Sequence, residues 1–152
     1  MVEEQKINPF SHEHFMRHAF MEAQKALEQD EVPIGAVVVL HDKIIGRGYN
    51  QTERLRDATA HAEMIALTSA FEHVGNKIIP EARLYVTIEP CMMCSGALYW
   101  SRIKTIVYGA ADEKSGFLSQ GNHAFFKKKE IIPNVLHEQC LSIMQSFFRA
   151  RR

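Results

Sequence analysis

Residues 84–94 read Leu84-Tyr85-Val86-Thr87-Ile88-Glu89-Pro90-Cys91-Met92-Met93-Cys94. The first five are aromatic, branched or apolar, the composition of a buried strand, and Pro90 cannot continue its ladder. Cys91 to Trp100 then has the composition of a helix entered just after a proline. The stretch therefore predicts a strand that passes directly into a helix, and that helix opens with two cysteines three residues apart. At this spacing both sulfurs share one helix face and can reach one metal ion. The dipole and unpaired N–H groups of a helix N-terminus also favour thiolates there.

Working outward, Gly35-Ala36-Val37-Val38-Val39-Leu40 is another buried strand, and His41-Asp42 a tight turn into Lys43-Ile44-Ile45-Gly46. Together they predict a hairpin. Ser11 to Gln29 is helical, with Ser11 as N-cap and Phe15, Ala19, Ala23 and Ala26-Leu27 at helical spacing, before Pro33 and Gly35. Gln51 to Thr59 is polar and aperiodic and reads as a loop. Ala60 to Phe71 reads as a helix with Met64, Leu67 and Phe71 on one stripe. Thr105 to Gly109 is a further strand, and Glu130-Ile131-Ile132 a short edge strand before Pro133. A closing helix runs from about Val135 to Arg151, with Leu141, Met144 and Phe148 repeating on one side. Strands alternating with helices predict an α/β layer structure, and the hairpin makes its sheet mixed.

The bulk properties bound the function. A chain of 152 residues, 46% hydrophobic and 24% charged, fits one globular domain over residues 1–152. Its apolar runs fall short of the roughly 20 residues that cross a bilayer. The acidic start Met1-Val2-Glu3-Glu4 has no signal-like apolar region, so a cytoplasmic protein is expected. Eighteen basic residues balance eighteen acidic ones, which argues against broad, sequence-blind coating of nucleic acid. Lys127-Lys128-Lys129, Arg149, Arg151 and Arg152 nevertheless place six positive charges in the last 26 residues. By itself, each such run reads as a solvated face or a fraying tail.

The chemistry rests on Cys91, Cys94 and a second short segment, His61-Ala62-Glu63. One imidazole and two thiolates supply three ligands for Zn²⁺ and leave the fourth tetrahedral position open, the layout of a catalytic site. Zinc lowers the pKa of its water to about 7 in characterised sites. Attack on an amidine-like ring carbon then needs a proton carrier, and Glu63, two residues from His61 at the same helix start, can serve without binding metal. A C-x-x-C pair also suits thiol redox chemistry, but His61-Ala62-Glu63 and Pro90 tell against it. Cys140, beside Leu141 in the last helix, reads as a small core residue, and Met92 and Met93 as core beside the metal helix. The other seven histidines have no ligand partner at useful spacing. At least one of Phe147 and Phe148 is expected to pack into the core.

The pattern H-x-E followed by P-C-x-x-C is the signature of zinc deaminases acting on nucleobases. The chain further resembles the bacterial tRNA-specific adenosine deaminase family, within the cytidine/deoxycytidylate deaminase superfamily. The resemblance runs through Val32 to Val37, Gly48-Tyr49-Asn50, Thr59 to Met64, Leu84 to Ala97, Ser101-Arg102-Ile103, Val107 to Ala110, Lys114-Ser115-Gly116 and Phe147 to Arg152. It implies a three-layer α/β/α cytidine-deaminase-like sandwich with a five-stranded mixed sheet, a homodimer, and one zinc per chain. It implies conversion of adenosine to inosine at the wobble position of a tRNA anticodon loop. By match to the family's positions, Asn50 and the Ala62 N–H hold the inserted nucleotide, Asp112 meets the anticodon loop, and Arg149 and Arg151 lie where the family grips RNA. Ala58, Ala111 and the segment from Phe117 to Lys129 depart from the family pattern. Two rival readings use the same residues: a deaminase of a free base or nucleoside such as guanine or cytosine, and a zinc-stabilised RNA-binding module without catalysis. Glu63 tells against the second, since a structural zinc has no use for an unligated carboxylate.

Overall fold

The computed structural model of the protein describes residues 8–118, 121 and 126–151. The acidic run at residues 1–4, Asn122-His123 and Arg152 fall outside them. The elements are α1 His12–Glu28, β1 Gly35–Leu40, β2 Lys43–Tyr49, α2 Thr52–Leu55, α3 Ala62–Val74, β3 Arg83–Ile88, α4 Met92–Ser101, β4 Thr105–Ala110, β5 Glu130–Ile132 and α5 His137–Arg149. The five strands form one sheet in the order β2-β1-β3-β4-β5. β1 pairs antiparallel with β2 and β3, while β3, β4 and β5 run parallel, so the sheet is mixed as expected.

The alternation of side chains along each strand divides the core into two layers. Val37, Val39, Tyr85 and Val107 pack with α1 and with Cys140 of α5. Ala36, Val38, Leu84, Val86 and Ile106 face α3 and α4. β1 is apolar at every position because both of its faces are covered. At its end His41 and Asp42 take left-handed φ of 50° and 61°, the conformation of a two-residue hairpin turn. Ser11 caps α1 as predicted, its hydroxyl accepting from the His14 N–H at 3.1 Å.

Several expectations are corrected by packing. Leu27 stands off the buried face of α1, which runs through Met16, Ala19, Ala23 and Ala26. Of the expected stripe, Leu67 is buried and Phe71 packs against the core, while Met64 is only partly covered; the rest of the buried face of α3 is Ala62, Glu63, Ala66 and Ala70. Alanine is favoured there because Gly46 and Gly48 of β2 bring the sheet against the backbone of α3. The polar stretch at 51–59 contains the helical turn α2, whose Glu53 and Arg54 N–H groups donate to the buried Glu31 carboxylate at 2.8 and 3.1 Å. That cap comes from 22 residues away, beyond any local pattern. On α5 the buried aromatic is Phe147, and Phe148 is 50% exposed. Lys127 and Lys128 are exposed, but Lys129 is half-buried and donates to the Leu98 and Ile103 carbonyls at the end of α4.

Candidate active site

The site lies where the carboxyl end of β3 meets the starts of α3 and α4, the edge at which parallel strands carry ligands in α/β folds. His61 and Cys91 occupy the N-cap positions of α3 and α4, both with extended backbone. Cys94 follows in the first turn of α4 and is fully buried. The sulfurs of Cys91 and Cys94 each lie 3.6 Å from Nδ1 of His61. All three donor atoms fall within 4.8 Å of one another.

This donor set fits zinc. Sulfurs at about 2.3 Å and an imidazole nitrogen at about 2.0–2.1 Å from a tetrahedral centre stand roughly 3.6 Å apart. The structure holds that separation on both sulfur–nitrogen edges. The electrostatics of the metal-free group agree. Hydrogen bonding from Cys94, assisted by His61, pulls the Cys91 thiol down to about 4. The same contact, with burial, pushes the Cys94 thiol up, so the pair holds one proton between its sulfurs. His61 is pushed up by its contact with Cys91. The thiolate held at Cys91 is a ready ligand for a divalent cation, and binding would displace the proton that Cys94 keeps.

Glu63, the second residue of α3, is 4% exposed. Burial, with the negative Cys91 nearby, raises its carboxyl to about 7. A proton carrier is most effective when its pKa lies near the working pH. Around these groups is a cleft of about 270 Å³ lined by Val32, Ile34, Asn50, Thr52, His61, Ala62, Glu63, Ile88, Glu89, Cys91, Asp112 and Ser115.

Asn50, Ala62, Glu63 and Asp112 therefore share one cleft with His61 and Cys91. Asn50 is 7% exposed; its amide donates to the Val32 carbonyl and accepts from the Thr52 N–H, both at 3.4 Å. Asp112 accepts from the Lys114 and Ser115 N–H groups at 3.1 Å, closing a turn on the cleft rim. Arg149 and Arg151 do not line the cleft. Arg151 donates to the Asp30 carbonyl and carboxylate at 2.9 and 3.1 Å and stacks 4.0 Å from the Phe147 ring, which ties the tail to the end of α1. Arg149 reaches back to the Gln145 carbonyl at 3.5 Å. Met92, expected in the core, is 64% exposed; on α4 the inward face is Cys94, Ser95 and Leu98. Thr52, Glu89 and Ser115 also line the cleft, and of these Glu89 alone carries a signal in the sequence, as an acidic residue ending an apolar strand.

A family model for MafB19-like deaminases matches residues 10–152. The tRNA-specific adenosine deaminase of Agrobacterium fabrum (strain C58) is 41% identical over 144 residues, covering 91% of this chain and 95% of that one. A solved structure from work on A-to-I editing by tRNA:A34 deaminases at the wobble position of transfer RNA superposes with a TM-score of 0.80 at 39% identity, covering 86% of this chain and 98% of that one. The guanine deaminase of Bacillus subtilis superposes with a TM-score of 0.64 at 33% identity, covering 76% of this chain and 71% of that one. The fold is thus the cytidine-deaminase-like α/β/α sandwich. Among the described residues no helix is long and apolar enough to cross a membrane.

Proposed function

The chain belongs to the tRNA-specific adenosine deaminase family, and from that premise we propose that it is a zinc-dependent hydrolase, one domain over residues 1–152, converting adenosine to inosine at the wobble position of a tRNA anticodon. The observation that carries the chemistry is the buried Glu63 carboxyl, raised to about 7, beside the His61, Cys91 and Cys94 donors at the cleft.

His61, Cys91 and Cys94 would hold one zinc ion per chain. The metal supplies the Lewis acidity that makes water a nucleophile at neutral pH. In the reaction, water oxygen bonds to C6 of the adenine, the C6–N bond breaks, and ammonia leaves. Glu63 takes a proton from the water and delivers it to a ring nitrogen, then carries the second proton to the departing amine. Burial of Glu63 suits both duties, because a carboxyl near 7 is neither fully ionised nor fully protonated at the working pH.

A base stacked in a duplex cannot bring C6 to this cleft, so the target nucleotide must be turned out of its stack. A loop lowers that cost, which favours an anticodon loop over a helix. We assign Asn50 to the inserted nucleotide. Ala62 is the first residue of α3, where an α-helix leaves its N–H groups without intrahelical partners, and we assign its N–H to the base. Asp112 at the rim, and Arg149 and Arg151 on the tail, are assigned to the surrounding RNA. On α4, Met92, Tyr99 and Trp100 are 64%, 38% and 70% exposed, an apolar face that supports a homodimer.

The test is an anticodon stem-loop carrying a wobble adenosine, incubated with zinc-loaded protein and read for inosine. Deamination of free guanine or cytosine with none of the stem-loop would replace this reading with that of a free-base deaminase.

A further inference from the structure

Glu89 is a buried carboxylate to which the deamination chemistry gives no task. It follows the last residue of β3, is 5% exposed, and lines the cleft together with Ile88 and Cys91. A carboxylate removed from water is costly unless hydrogen bonds replace the water, so its partners indicate its use. Its Oε2 accepts from the Leu118 N–H at 3.1 Å. It also lies directly against Gly116, where any Cβ would collide with the carboxylate. Two backbone links run alongside. The Phe117 N–H donates to the Pro90 carbonyl at 2.9 Å, and Gly116 pairs with Cys91 in an antiparallel bridge.

The segment held in this way is a compact turn. Asp112 accepts from the Lys114 and Ser115 N–H groups, and its carbonyl accepts from the Gly116 N–H at 2.8 Å. Residues 112–116 are therefore tied into one turn, which brings Asp112 and Ser115 to the cleft. The attachment of that turn to the strand end passes through Glu89, Pro90 and Cys91. We infer that Glu89 is a positioning residue that clamps the 112–118 turn onto the metal-binding segment and so sets affinity for the RNA around the target adenosine. The inference rests on the reading of the cleft as a tRNA site. The Glu89–Leu118 hydrogen bond does not touch α3 or its cap, where Glu63 and His61 stand, and the Gly116–Cys91 bridge and the Phe117–Pro90 hydrogen bond do not depend on that side chain, so loss of the carboxylate weakens substrate binding more than chemistry.

The experiment compares zinc-loaded wild type, Glu89→Ala and Glu89→Gln on the wobble-adenosine stem-loop, with amide exchange at Leu118 and Phe117 as a second readout. In Glu89→Ala, KM rises about tenfold, in line with loss of one hydrogen bond to a charged group. Its kcat stays within about threefold, zinc remains at one per chain, and Leu118 exchanges faster. Glu89→Gln keeps an acceptor for Leu118 and restores both KM and slow exchange. Glu89→Ala with wild-type KM and wild-type exchange overturns the inference. So does a kcat loss at constant KM, or an equal KM rise in both variants with exchange unchanged, which assigns Glu89 to direct substrate contact. A wild-type protein that leaves the stem-loop unmodified sinks the tRNA reading instead, and Leu118 exchange then decides the clamp by itself.

Discussion

Gly48→Ala tests how the sheet positions the proton carrier. Gly48 lies on β2 under the first turn of α3, and a Cβ there would stand 2.7 Å from the Ala66 nitrogen and 3.0 Å from the Ile65 Cβ, with the Ala62 carbonyl oxygen nearer still. Ordinary contact begins near 3.4 Å, so α3 must retreat by roughly 0.7 Å or more. Overpacking of this kind costs about 1–3 kcal/mol, or roughly 3–10 °C in Tm for a domain of this size. The retreat is largest at the turn that carries Glu63, and a misplacement of about 1 Å can cost on the order of a hundredfold in rate. Gly46→Ala is the control. It meets Ala66 and Ala70, one turn further along the same helix, so its Tm loss should match while its kcat loss is several-fold smaller. Tm by calorimetry and kcat on the stem-loop, with zinc content measured in each variant, decide the matter. Wild-type Tm and kcat for Gly48→Ala, or equal kcat losses in the two variants, would refute the reasoning.

Glu63→Gln should keep zinc and lose turnover. It should also stabilise the metal-free protein, because burial holds the folded carboxyl at about 7 against an ordinary value of 4.5. Below 4.5 both states are protonated; between 4.5 and 7 the folded state binds more protons, so wild-type stability falls as pH rises. Above 7 the full cost, about 3 kcal/mol, is present, so urea unfolding should show the variant ahead at pH 8 and level with wild type near pH 4. Cys91→Ala should lose bound zinc, measured by metal analysis, and lower Tm with it. In metal-free protein a thiol reagent should label Cys91, held at about 4, first, and reach Cys140, pushed to about 12 by burial, only on unfolding; peptide mass spectrometry gives the order. Lys129→Met removes the donor to the Leu98 and Ile103 carbonyls and should cost about 1–2 kcal/mol in denaturant titration.

The strands and the metal donors are legible in the sequence because their signals are local. β1 and β3 are short apolar runs, and His61, Cys91 and Cys94 each sit within a turn of a helix start whose backbone sets their direction. What escapes is what depends on distant partners. On α3 a search for large apolar residues finds Leu67 and misses the alanines of the buried face, since Gly46 and Gly48 bring β2 close and favour small side chains. α2 forms at a polar stretch because Glu31 caps it, and Arg151 is drawn to Asp30 from 121 residues away. The family resemblance points to Asn50 and Asp112, but Thr52 opens the short α2 and Ser115 lies in a turn, and neither carries a periodic signal.

Buried carboxylates mark the boundary most sharply. Glu22, Glu31, Glu63 and Glu89 are all buried, at 3%, 1%, 4% and 5% exposure, yet nothing in composition separates them from surface glutamates. Glu63 stands out only through its spacing from His61. Glu22 is satisfied by Lys25 at 2.9 Å and Arg47 at 3.9 Å, an ion-pair arrangement that needs no site. Glu31 accepts from the Glu53 and Arg54 N–H groups of α2, which opens at the cleft residue Thr52, and Glu89 accepts from the Leu118 N–H, next to the turn that supplies Asp112 and Ser115. A carboxylate that accepts backbone N–H groups fixes the position of the chain that donates them. Glu31 and Glu89 thus fasten the two segments from which Thr52, Asp112 and Ser115 reach the cleft.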